Sequence, residues 1–219
     1  MTEERIRELA RDLAPVTPIP RLRTVGAGLF ASFALILVAD WVSGGAEPRP
    51  LGDAAWSSPS FLAALGGVAL VAFGATSAAL ASAVPGRAAT ARSGLRVTAL
   101  GFALALTGWT LGAASGAPDH GGEDLNSILG CAARAFTLGV VPALLCAAFA
   151  VYAAMRRASL TAALALAGGV ALGALAVHAS CRSNSPLHQL VAHTLAPAAA
   201  VVLLTAPLAL LMSRWARRG

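Results

Sequence analysis

The chain reads as an all-α protein, an integral membrane six-helix bundle preceded by a short cytoplasmic N-terminal amphipathic helix. Three observations predict this. Of its 219 residues, 57% are hydrophobic and only 12% charged, with a mean hydropathy of +0.73, whereas a water-soluble domain of this size needs a more polar surface. The apolar residues run in stretches of about 20, the length an α-helix needs to cross about 30 Å of hydrocarbon, with little of the period-2 alternation of a transmembrane barrel. The charges fall mostly in the short segments between those stretches.

Hydropathy places the spans near Thr24 to Val42, Phe61 to Val84, Leu95 to Ser115, Ile128 to Met155, Leu160 to His178 and Leu190 to Ser213. Arg134 interrupts the fourth. The first is long enough to cross a bilayer and follows a mixed-charge segment rather than a short basic one, so it reads as a retained helix and not a cleaved signal. The expected organisation is a cytoplasmic tail at 1–23, a six-helix transmembrane domain at 24–213 and a cytoplasmic C-terminal tail at 214–219.

All sixteen basic residues are arginine, a composition that invites a nucleic-acid reading until the positions are read. Arg5, Arg7, Arg11, Arg21 and Arg23 precede the first span; Arg87, Arg92 and Arg96 lie between the second and third; Arg156 and Arg157 lie between the fourth and fifth; Arg214, Arg217 and Arg218 follow the last. These are alternate connections, so the positive-inside rule makes them cytoplasmic. The opposite side keeps Arg49 and Arg182, with Arg134 at a span's outer end, and carries Glu47, Asp53, Asp119, Glu123 and Asp124. A bacterial inner membrane, with both termini cytoplasmic and no direct nucleic-acid partner, is the expected setting.

Helices in lipid gain little from hydrophobicity when they meet, so small residues that let backbones approach must supply the packing. Gly108, Gly112 and Gly116 recur every four residues in the third span, and Gly169 and Gly173 repeat the pattern in the fifth. Such stripes could form a homodimer seam or, more simply, contacts inside one bundle. Pro142, Pro197 and Pro207 lie within spans, where a missing amide and a ring clash favour kinks. Ionisable groups near the midplane, the mark of a proton or ion path, are not found; Asp40, Arg134, His178 and His193 map near the outer interface, where side chains can snorkel.

The densest polar cluster lies at that outer end. Counted from the turn at Arg156 and Arg157, Cys131 is about 26 residues back and Cys181 about 24 forward, so their depths differ by about 3 Å at 1.5 Å per residue. Both sulfurs therefore emerge at the outer surface, within reach of a disulfide in a compartment that permits one. Cys146 falls mid-span and reads as an inert core residue. Arg134, one turn beyond Cys131, could favour its thiolate. Cysteine with histidine also suits a metal ion, with Cys131, Cys181, His188 and His193 as the candidate ligands. Yet His188 and His193 are five apart rather than four, and no closed metal motif is present. A redox or structural pair, a metal site and unlinked packing residues all remain open here. The chain carries no recognisable catalytic machinery and no C-x-x-C pair, so it is expected not to be an enzyme and to require no cofactor.

At the N-terminus Ile6, Leu9 and Leu13 recur at spacings of three and four among charged residues, a short amphipathic helix with a narrow apolar stripe. Thr17, Pro18, Ile19 and Pro20 then form an extended tether, because proline restricts itself and the residue before it. The tail suits a protein-binding peptide; the competing reading is a helix lying on the bilayer, for which its near-balanced charge supplies modest attraction.

The amphipathic N-terminus running into Asp12, Leu13, Ala14, Pro15 and Val16, the six spans, Cys131 opening the fourth, and Cys181 followed by Pro186, His188 and His193 together resemble the NrsF-like family of bacterial membrane anti-sigma factors. CarR-type regulators of light-induced carotenoid synthesis are similar. The resemblance covers essentially the whole chain. It implies that Leu9, Leu13, Pro15 and Val16 take part in holding an extracytoplasmic-function (ECF) sigma factor, with Ile6 completing the apolar stripe, and that Cys131 and Cys181 take part in stress sensing. The alternative expectation is a small membrane oxidoreductase or metal-handling protein that uses the outer cysteine and histidine cluster.

Overall fold

A helix without a polar face belongs in a packed interior or in hydrocarbon. Such a helix forms the centre of the protein in the computed structural model, which describes residues 21–42, 48–115, 124–153, 155 and 157–217. The described helices long and apolar enough to cross a membrane number six: α1 (Leu22–Val42), α2 (Pro59–Ser82), α3 (Ala88–Ala114), α4 (Leu125–Tyr152), α5 (Ala158–His178) and α6 (Pro186–Ala216). No strand occurs among the described residues. The central helix is α5, an Ala, Leu, Gly and Val sequence buried along most of its length. It is covered by α4, α2 and α6, while α3 packs on α2 and α1 packs mainly on α4. The outward faces carry Leu35, Leu100, Val202, Leu203 and Leu210, all exposed, as expected of a surface solvated by hydrocarbon.

The helix ends are cut by local chemistry. Ser58 caps α2 with its hydroxyl, Asp124 caps α4 and Ser185 caps α6, with Pro59 and Pro186 in the first turns of α2 and α6; side-chain oxygens there satisfy amides that have no partner inside the helix. The connection from α2 to α3 turns at Gly86, whose φ of 80° suits a residue without Cβ. Two boundaries differ from the hydropathy reading by more than three residues. Helix α3 begins at Ala88 rather than Leu95, so Arg92 and Arg96 lie on its exposed first turns and not in a loop; arginine is a good helix former and keeps its charge outside while its stem lies along the helix. Helix α6 begins at Pro186 rather than Leu190, because the Ser185 cap and Pro186 start the helix before the apolar run begins.

The small-residue stripes are contacts inside the bundle. A Cβ on Gly101 would lie 2.6 Å from the carbonyl oxygen of Gly67, and one on Gly94 would lie 2.7 Å from that of Gly74. With Gly108 against Ser60 and Ala64, these pairs set the antiparallel register of α2 and α3. Gly169 and Gly173 meet Gly139, Ala143 and Ala135 of α4 in the same way. Gly112 faces Ser60 and Pro186; Gly116 lies outside the described residues. Ser82 and Thr161 add a hydroxyl contact of 3.1 Å between α2 and α5, of the kind worth about 0.6 kcal/mol in a membrane interior.

The prolines act differently from one another. Pro142 and Pro207 lie inside α4 and α6. Pro197 has no amide to donate to the carbonyl four residues back, and the turn just before it, Val191–Leu195, is a π-turn in which the Ala196 amide donates to the Val191 carbonyl.

Candidate functional site

The ends of α1, α3 and α5 and the starts of α2, α4 and α6 build the site. Cys131 lies in the second turn of α4. Cys181 follows α5 on a short connection that ends at the Ser185 cap. That cap takes the His188 amide at 3.3 Å, which seats His188 in the first turn of α6, and the π-turn carries His193. The sulfurs of Cys131 and Cys181 are free thiols 3.9 Å apart, and Cys181 Sγ lies 3.6 Å from His188 Nε2. One ligand-type atom from each of Cys131, Cys181, His188 and His193 falls within 4.8 Å of every other. These four residues could hold a metal ion.

The five-residue separation of His188 and His193, which fits one face of an α-helix poorly, suits a helix that contains a π-turn, since each π-turn holds one extra residue. The rings of His188 and His193 lie 5.6 Å apart. His178, the last residue of α5, completes a histidine trio: its Nδ1 is 2.9 Å from His193 Nδ1. It stacks on Trp109 at 5.2 Å and meets Phe61 edge-on at 6.0 Å, and the Trp109 indole donates to the Thr194 hydroxyl at 3.0 Å. His178, His188 and His193 are 0%, 1% and 2% exposed. The expectation that His178 and His193 snorkel to water is therefore overturned; Phe61 and Trp109 cover His178, and His193 lies against the rings of His178 and His188. Cys146 is buried among alanines and leucines far along α4, as its mid-span position implied.

Arg49, by sequence one of few outer charges, is a structural part of the site, 4% exposed. Its Nη2 donates to the carbonyls of Cys181 and, at 3.1 Å, Ser183. Its Nη1 donates to Asn184 and, at 2.8 Å, to Asp53, and its own amide donates to the Ala179 carbonyl at 2.6 Å. Asp53 also accepts the Ala55 amide at 2.8 Å, capping a short 3-10 helix at Ala54–Ser57. That amide first, and then Arg49, hold the Asp53 carboxyl below its ordinary range. The one available signal was the flanking Pro48 and Pro50, a stiffened backbone around a lone arginine.

The Cys181 thiol is held well below its ordinary pKa, chiefly by the hydrogen bond from the neighbouring Cys131 thiol and then by His193 and a backbone bond from Ser183, against the opposing effect of burial. The thiolate is the form that attacks disulfides and binds metals. Arg134, expected beside Cys131, is in an ion pair with Asp40 that joins α4 to α1. A basin of about 550 Å³, lined by Cys131, Cys181, Arg134, Arg182 and Ser127 among others, leads to the two sulfurs. The tail residues Ile6, Leu9, Leu13, Pro15 and Val16 lie outside the described residues.

A bundle of six membrane-length helices with its polar chemistry gathered at one end defines a small polytopic helical protein of membrane type. Over residues 9–215 the chain matches the NrsF family, described as negative regulator of sigma F, and it belongs to that family. No curated protein and no solved structure matches the chain.

Proposed function

We propose that this chain is a membrane-anchored anti-sigma factor, one that sequesters an ECF sigma factor through its N-terminal segment and releases it when an envelope, redox, metal or light stress acts on the outer end of the bundle. The observation that carries this reading is membership, across nearly the whole chain, in a family of negative regulators of sigma F. The arginine distribution supports an inner-membrane setting with both ends cytoplasmic. In that setting the stripe of Ile6, Leu9 and Leu13, followed by Pro15 and Val16, docks as a helix in an apolar groove of the sigma factor.

A mechanical link supports coupling between the two ends. Cys131 stands one turn from Arg134 on α4; Arg134 pairs with Asp40 at the end of α1; α1 leads back to the tail. A change at the sulfurs that alters the seating of α4 against α1 biases the helix from which the tail extends, which is what a two-state release requires. Co-purification with the full chain and with a chain lacking residues 1–23 tests the proposal. The full chain should retain the sigma factor and the truncated chain should lose it; equal retention would sink the tail assignment. Cys131→Ser and Cys181→Ser should alter stress-dependent release, and Cys146→Ser should not.

A second reading, a membrane oxidoreductase or metal-handling protein, is favoured by the convergence of four ligand-type side chains. Retention of no sigma factor by the intact chain would move the assignment to that reading.

A further inference from the structure

We propose that Cys131, Cys181, His188 and His193 are the four ligands of a tetrahedral site for a thiophilic divalent cation of the zinc class, with His178 positioning His193. The site stands whether or not the chain holds a sigma factor, and it is tested without one.

The spacings match a tetrahedron. With Zn–S near 2.3 Å and Zn–N near 2.0–2.1 Å, tetrahedral angles separate two sulfur ligands by about 3.8 Å, and a sulfur from a nitrogen by about 3.6 Å. The sulfurs of Cys131 and Cys181 are 3.9 Å apart, and Cys181 Sγ is 3.6 Å from His188 Nε2. The remaining ligand atom, on His193, lies within 4.8 Å of the others. The two sulfurs sit at the separation of ligands on a shared ion, well beyond the roughly 2.05 Å of a disulfide bond.

One of the four ligands carries an orphaned group. His193 engages His178 through Nδ1 at 2.9 Å, and its Nε2 is buried with no hydrogen-bond partner. A nitrogen left dry and unpaired is destabilising; a metal bond removes that cost. For Nε2 to present its lone pair, Nδ1 must carry the proton and donate it to His178 Nδ1. His178 then does for His193 what an orienting carboxylate or carbonyl does for other zinc-bound histidines. Held by stacking on Trp109 and by Phe61, it has little freedom to turn away.

Charge also favours the assignment. Binding takes both sulfurs as thiolates, any thiol proton still present leaving to water, and the cation's two positive charges meet two negative ones. The filled site is neutral, which is the form that burial at the end of an apolar bundle tolerates. The basin beside Ser127 and Arg182 gives the ion a way to the sulfurs. Four protein ligands leave no open coordination position, so the site is of the structural or sensing kind rather than the catalytic kind. It ties the start of α4 to the loop after α5 and to the first turns of α6.

The full chain, purified in detergent under reducing conditions, loaded with zinc and desalted, should retain one zinc per chain. Cobalt in place of zinc should give the intense visible bands of a tetrahedral, thiolate-ligated ion. Cys131→Ser, Cys181→Ser, His188→Ala and His193→Ala should lose both signals, and Cys146→Ser should keep them. His188→Cys and His193→Cys replace one ligand by another and guard against variants that merely fail to fold; they should bind cobalt with stronger sulfur charge-transfer absorption. His178→Ala should weaken binding about 10-fold to 100-fold with an unchanged cobalt spectrum, while His178→Gln, which keeps an acceptor, should bind more tightly than His178→Ala. A folded parent chain that retains no zinc would overturn the proposal. So would a Cys131–Cys181 disulfide in protein whose thiols were trapped on leaving the membrane, or parental cobalt spectra in the two histidine-to-alanine variants.

Discussion

Arg49 donates from Nη2 to the backbone carbonyl of Cys181, 132 positions further along the chain. The same guanidinium serves Ser183, Asn184 and Asp53 and lies 5.4 Å from the Phe61 ring centre. A planar fork of donors can satisfy several acceptors of one loop at once. Together with the Gln189 amide, which donates to the Ser183 carbonyl at 2.7 Å, that fork holds the Cys181 connection against the bundle.

Replacing Arg49 by alanine should therefore loosen the connection, leaving the Cys181 carbonyl without its side-chain donor and the Ser183 carbonyl with the Gln189 amide alone. We expect a stability loss of about 2–4 kcal/mol and a faster reaction of Cys181 with a water-soluble alkylating reagent. Arg49→Lys should recover only part, since an ammonium cannot reproduce the fork. Thermal melting and alkylation followed by mass spectrometry check both effects; an unchanged alkylation rate would show that the loop is held by something else.

The glycine contacts yield a prediction about assembly. Gly101→Leu and Gly139→Leu would drive side chains into the backbones of α2 and α5, a form of overpacking that costs about 1–3 kcal/mol or more. The melting temperature should fall while the oligomeric state measured by light scattering stays as in the parent. A change of oligomeric state at unaltered stability would instead make these stripes a seam between two copies.

The arginine distribution yields a prediction of topology. A reporter active only in the cytoplasm should give signal when fused after Arg92, Arg157 or Arg218, and none after Asp53, Glu123 or Asn184. The exposure of Arg92, Arg96 and Arg157 agrees with their reaching headgroups and water. Reversal at two or more sites is the outcome that would refute the orientation.

The tail should act alone. A peptide covering Met1 to Arg23 is expected to bind the sigma factor in calorimetric titration, because a helix-in-groove contact rests on a few apolar anchors. Leu9→Asp or Leu13→Asp would bury a charge in an apolar groove and should cost several kcal/mol, on the order of the penalty for losing a hot spot. Glu4 and Arg7 substitutions should matter less. Equal binding by the aspartate peptides would point to a tail that lies on the bilayer.

Much of this protein was legible in its sequence. The six helices could be counted, and Cys131 and Cys181 could be matched in depth, because helix rise and bilayer thickness are local rulers that apply without knowing any partner. Cys146 could be set aside on the same basis. Arg49 could not be found this way, since two of its four side-chain acceptors are backbone carbonyls of a loop more than 120 residues on, and a carbonyl leaves no mark in a sequence. His178 maps by sequence to the interface, because nothing in its neighbours along the chain shows that Phe61 and Trp109 will cover it.

The sequence by itself determined the class of fold: backbone amides and carbonyls in hydrocarbon must be satisfied within their own segment, so each long apolar run has to be a helix whatever it packs against. Tertiary structure alone decided which faces meet. The antiparallel register of α2 on α3 and of α4 on α5 comes from glycines that find glycine, alanine or serine on another helix, a complementarity between distant positions. It also decided that His188 and His193, five residues apart, share a site. Pro197 withholds one amide, the helix takes up an extra residue at Val191–Leu195, and both rings turn toward the sulfurs that α4 and the end of α5 bring together.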